Sequence, residues 1–196
     1  MIKNMEANKM NKRKKAAILA LFMVIMFSLF TGIASAQEEG EEDHTPLVIL
    51  GCALAIGIAG IASAIGLALA GSSAVAVTAE KPNLFGKLLV LQVLPMTQSV
   101  YGLLTAILLM MGVGILGGTP SATMLQGMGA LWIGLAVGLT GLSAINQGMV
   151  ASSSISAVGR NPDVAARGII FTVMPETIAI FGLLVGILLM TGLGLL

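Results

Sequence analysis

Between Leu88 and Gly159 the chain carries no charged side chain, and from Leu47 to Leu196 it carries only seven: Glu80, Lys81, Lys87, Arg160, Asp163, Arg167 and Glu176. A water-exposed surface needs charge, and in soluble domains roughly a quarter of residues supply it. A charge-free run of this length belongs in lipid. Composition agrees, with 57% hydrophobic residues, 10% charged residues and a mean hydropathy of +1.00. A formal charge of +1 leaves no basic surface for nucleic acid. One cysteine (Cys52) and one histidine (His44) can build neither a disulfide framework nor a zinc site.

Six of the seven charges fall in two short segments, 80–87 and 160–167, each containing a proline (Pro82, Pro162) placed where the first turn of a following helix would start. A turn-rich cluster, Gly117-Gly118-Thr119-Pro120-Ser121, interrupts the uncharged stretch. Four spans are therefore expected, near Leu47–Thr78, Leu88–Leu116, Ala122 to just short of Gly159, and Gly168–Leu196, each longer than the roughly 20 residues that cross a bilayer. Both charged loops carry two basic residues, so they are expected in the cytoplasm, with the mature N- and C-termini outside a multi-pass cell-membrane protein. Ahead of the spans, Lys3, Lys9, Lys12, Arg13, Lys14 and Lys15 precede the apolar run Ala16–Phe30 and the small-residue site Ala34-Ser35-Ala36. Residues 1–36 read as a signal peptide, with a retained signal anchor as the alternative. Residues 37–46 read as an acidic, solvated external tail, and His44 as a bystander beside it.

The two hairpins, 47–118 and 119–196, align without a gap at an offset of 80 residues, which places Pro82 on Pro162. The same offset sets Ser63-Ala64-Ile65 on Ser143-Ala144-Ile145 and Leu94-Pro95-Met96-Thr97 on Met174-Pro175-Glu176-Thr177. The fold class is an all-α membrane protein built from a duplicated transmembrane hairpin, its repeats parallel in the membrane, unlike the inverted repeats of many secondary transporters. Glu176 stands where the first copy has Met96, and it is the one carboxylate or basic side chain inside an expected span. Intramembrane carboxylates cost about 2.5 to 3.5 kcal/mol on the lenient insertion scale and default to ion or proton carriage, the alternative being a neutral carboxyl that joins helices. Thr97, Gln98 and Tyr101 in the second span and Gln147 in the third add polar groups that need hydrogen-bond partners or a cation. Singly these are ordinary interhelical contacts; together, their oxygens and one carboxylate suit a hard cation such as Na+, whereas H+ needs only the carboxyl.

These residues and the duplicated hairpin resemble the proteolipid ring subunit (subunit K, or c) of V-type and archaeal A-type rotary ATPases, in its four-helix, one-carboxylate form. The resemblance covers about Leu47 to Leu196. It implies a sodium site of Glu176, Gln147, Gln98, Thr97 and the Leu94 carbonyl, with Tyr101 hydrogen-bonding Glu176. It further implies a homo-oligomeric ring in membrane lipid, a stator subunit (a, or I) bearing an Arg, and central-stalk subunits. In that setting the chain is a non-catalytic, cofactor-free rotor subunit that carries Na+, or H+, past the stator during ATP-coupled rotation. The alternative is a passive proteolipid channel or scaffold, which should line its path with polar groups at several levels.

Overall fold

The structure, a computed structural model, describes residues 43–196. The expected leader, 1–36, and residues 37–42 of the acidic tail lie outside the described residues. Seven α-helices follow: α1 (Thr45–Glu80), α2 (Phe85–Val93), α3 (Thr97–Gly112), α4 (Met124–Thr140), α5 (Ser143–Arg160), α6 (Ala165–Val173) and α7 (Glu176–Gly192). Short 3-10 turns at Pro82–Leu84, Leu94–Met96 and Pro162–Val164 lie between them. Together they form four spans, Thr45–Glu80, Pro82–Gly112, Met124–Arg160 and Pro162–Gly192, each long and apolar enough to cross a membrane.

The second and fourth spans begin at Pro82 and Pro162, earlier than expected, so Lys87 and Arg167 lie on helices and not in loops. Proline in a first turn has the right φ and no amide to leave unsatisfied, so the charged segments start helices. Within each hairpin a single residue, Lys81 or Asn161, separates the two spans, and the Asn161 side chain caps the next turn by accepting from the Asp163 amide at 3.0 Å. The second span stops at Gly112, short of Leu116, before Gly114 and Gly118 take left-handed φ values of 74° and 79°, which side-chain-bearing residues resist. Thr123 then opens α4 through a reciprocal cap with Gln126.

The two ends of the bundle are each tied across the repeat. At one, Lys81 Nζ donates to the Gly159 carbonyl at 2.6 Å and Lys87 Nζ to the Pro162 carbonyl at 3.3 Å, which joins the charged turns. At the other, Asp43 Oδ1 accepts from the Thr45 amide (3.1 Å), the Thr45 hydroxyl (2.6 Å) and the Ala122 amide (3.1 Å). The Thr45 hydroxyl is the main reason the Asp43 carboxyl sits below its ordinary pKa. His44 N donates to the Ala122 carbonyl at 3.0 Å. Asp43 to Pro46 are thus tied to the folded body, with Thr45 buried while Asp43 and Pro46 stay exposed, so the last four residues of the expected tail 37–46 are solvated but not detached.

α1 is the central post, packed against α3, α4 and α5. Its small residues allow this: a Cβ on Gly134 of α4 would overlap the Gly51 carbonyl, and one on Gly148 of α5 would overlap Gly66. Backbones that approach so closely gain dispersion contacts that lipid cannot match. Two apolar clusters result. One gathers Val48, Leu109, Ile133, Val137 and Met190; the other gathers Leu84, Leu88, Leu91, Ile155 and Val158. The level between them holds the polar residues.

Candidate functional site

Three breaks in helical geometry meet at that level. Pro95 and Pro175 cannot donate to the preceding turn, and the chain passes them through the Leu94–Met96 turn and the Met174–Pro175 step before α7. The third span breaks at Gly141-Leu142, where the Thr140 hydroxyl bonds back to the Ala136 and Val137 carbonyls at 3.0 Å each. The Pro95 break leaves the Leu94 carbonyl accepting from both the amide and the hydroxyl of Thr97, the latter at 3.0 Å. Ser63 on α1 supports the same turn, its hydroxyl accepting from the Ser99 amide at 3.1 Å.

From Leu94 a continuous polar chain crosses three spans. Thr97 Oγ1 lies 3.3 Å from Gln98 Oε1. Gln98 Nε2 donates to Gln147 Oε1 at 2.6 Å. Gln147 Nε2 donates to Glu176 Oε2 at 3.2 Å, and the Tyr101 hydroxyl donates to Glu176 Oε1 at 2.6 Å. Gln98 and Gln147 are 0% exposed and Glu176 8%. All six residues singled out in the sequence therefore lie in one network: Tyr101 and Gln147 touch the carboxylate directly, Gln98 reaches it through Gln147, and Thr97 and Leu94 reach it through Gln98.

Both amides are turned the same way, nitrogen toward the carboxylate and oxygen away from it, and the tyrosine adds a charge-assisted bond. Every contact to Glu176 in this network is a donor, so the carboxyl is used as an acceptor, as its ionised form requires. No positive side chain shares its depth: the lysines and arginines after residue 43 lie at positions 81, 87, 160 and 167, at the ends of spans. A carboxylate left charged at this depth, with no basic side chain beside it, would be costly. Among the described residues no three His, Cys, Asp or Glu gather in a way that could hold a metal ion, so any cation here is held mainly by uncharged oxygens.

Ser143 figures in the sequence only through the repeat match and was not among the expected site residues. It follows the third-span break, and its buried hydroxyl has no hydrogen-bond partner among the described residues. The 80-residue repeat was the signal for it, since it sets Ser143 on Ser63, which does have a partner.

Comparison with known proteins matches both hairpins. The family model for the C subunit of ATP synthase covers residues 50–109 and again 131–189. The chain is 47% identical over 146 residues to the A-type ATP synthase subunit K of Methanocaldococcus jannaschii, which covers 74% of this chain and 64% of that protein, so the match spans under two thirds of the relative's length. It is 39% identical over 142 residues to the V-type sodium ATPase subunit K of Enterococcus hirae, covering 72% of this chain and 88% of that one. It is 30% identical over 157 residues to the 16 kDa proteolipid of the V-type proton ATPase of Nephrops norvegicus, covering 79% and 97%. With each copy of its hairpin matched in turn, the chain belongs to the family of ATP synthase C subunits, the membrane proteolipids of these ATPases.

Proposed function

We propose that the chain is the ion-carrying rotor subunit of a membrane rotary ATPase, that copies of it form a ring, and that Glu176 carries Na+. The observation that bears most weight is the buried carboxylate with neutral donors on both oxygens and no basic side chain at its depth. Rotating such a site through lipid requires its charge to be cancelled. Sodium does so when it bonds Glu176 and replaces its water shell with the oxygens of Gln147, Gln98, Thr97 and Leu94. Gln98 would have to turn or shift to give up its bond to Gln147, which makes it the moving part of the site. Tyr101, donating to Glu176 Oε1, keeps the carboxylate aimed. The sodium ATPase relative supports this ion over H+, while the proton ATPase relatives mark the other possibility.

In this mechanism each subunit brings its loaded Glu176 to a stator subunit whose Arg displaces the ion toward one side. The emptied site reloads from the other side and the ring advances, coupled through central-stalk subunits to ATP. The charged turns lie in the cytoplasm, and the mature termini lie outside.

A hydrophobic carbodiimide, which attacks the protonated carboxyl, tests the ion. Added Na+ is expected to slow labelling of Glu176 at fixed pH, and Gln98→Ala or Gln147→Ala to weaken that protection. Labelling that follows pH and ignores Na+ would show a proton carrier.

A further inference from the structure

Asn146 lies next to Gln147 in the middle of the third span, yet its side chain is exposed and no described residue hydrogen-bonds it. An amide facing hydrocarbon without a partner is unfavourable. The internal repeat identifies what it faces. Within the chain, α1 meets α5 where a Cβ on Gly66 would overlap the Ala144 carbonyl and one on Gly148 would overlap Gly66. If the hairpins repeat around a closed ring, the same contact recurs between the third span of one copy and the first span of the next. Shifted by 80 residues, Gly66 becomes Asn146, Ala144 becomes Ala64 and Gly148 becomes Ala68. Ala64 and Ala68 are exposed in the single chain, as this demands. The Gly51 and Gly134 contact shifts in the same way to Leu131 and Leu54. Each glycine that draws the spans together within a copy is a larger residue on the surfaces that meet between copies.

We propose that the junction between copies is wider than the junction within a copy, and that Asn146 bridges it by donating its side-chain amide to the carbonyl of the partner subunit's Ala64. A helical carbonyl keeps a second lone pair for such a bond. This rests on the ring reading above. The spans would then alternate close and open around the ring, and the open junctions would be held by a polar contact one residue from the ion-binding glutamine.

The test uses the full-length protein purified in detergent, carrying Asn146→Cys and Ala64→Cys together. Mild oxidation is expected to give a ladder of covalent multimers that neither single variant forms, because a disulfide requires Cα atoms within about 7 Å. In parallel, Asn146→Leu is expected to lower the temperature at which the intact oligomer dissociates, and Asn146→Gln to restore part of the loss. An intact oligomer whose double variant does not cross-link overturns the placement. Cross-linking with an unchanged dissociation temperature for Asn146→Leu overturns the hydrogen bond. Absence of any oligomer in the unmodified protein would instead overturn the ring reading itself.

Discussion

Tyr101 and Phe181 occupy the same place in the two hairpins, and only the tyrosine has a hydroxyl to give to Glu176. Removing a hydrogen bond to a charged group costs about 1.5 to 3 kcal/mol. Tyr101→Phe is therefore expected to weaken Na+ protection of Glu176 by about tenfold or more, read as the Na+ concentration that halves carbodiimide labelling. Glu176→Gln keeps shape and much of the hydrogen bonding but holds a fixed neutral charge. It should abolish ion transport while the oligomer still assembles, whereas Met96→Leu, at the matching and 48% exposed position of the first hairpin, should transport normally. Transport in reconstituted vesicles reads both. The residue types of the site were legible in sequence because polar groups are so few in these spans. Their order of contact was not: the turned amides of Gln98 and Gln147 follow from side-chain geometry that spacing leaves open.

At the scale of elements, proline and glycine set the architecture in opposite ways. Pro95 and Pro175 break the second and fourth spans at the depth of the site, and Gly51, Gly66, Gly134 and Gly148 let the first and third spans touch backbone to backbone. Gly134→Val is expected to destabilise the bundle by about 1 to 3 kcal/mol, the usual cost of overpacking, seen as a lower unfolding temperature in detergent. Gly86→Ala, whose added Cβ meets open space on α2, should be neutral or stabilising by up to about 1 kcal/mol through helix propensity. The spans were legible from hydropathy, and the prolines marked helix starts. The expected ends still missed by several residues, because charge and turn composition fail to show that Lys87 and Arg167 ride on helices or that Asp43 ties the start of α1 to Ala122.

The molecule as a whole leaves large apolar side chains uncovered on its flanks, with Val75 and Leu188 each 71% exposed. Such a surface needs lipid or further copies of the chain to cover it. Lys81 and Lys87 tie the charged turns of both hairpins to one end of the bundle, so a single orientation serves both. A membrane-impermeant thiol reagent is expected to label Asp163→Cys from the cytoplasmic side only. Labelling from outside would invert the proposed topology.

Charge placement alone determined that this is a helical membrane protein, since an ionisable group in hydrocarbon is too costly to occur without use. The ungapped repeat likewise determined that one hairpin is present twice and that Glu176 marks the copy that differs. Only the tertiary structure decided that the polar residues of three spans join in one chain of contacts ending on that carboxylate. It also decided that the Gln98 and Gln147 amides point nitrogen-first toward the carboxylate while Asn146 turns away. The physical reason is that burial in lipid constrains residue type strongly along the sequence, whereas hydrogen bonding depends on rotamers and on the phase of each helix, which proline and glycine breaks reset partway through three of the four spans.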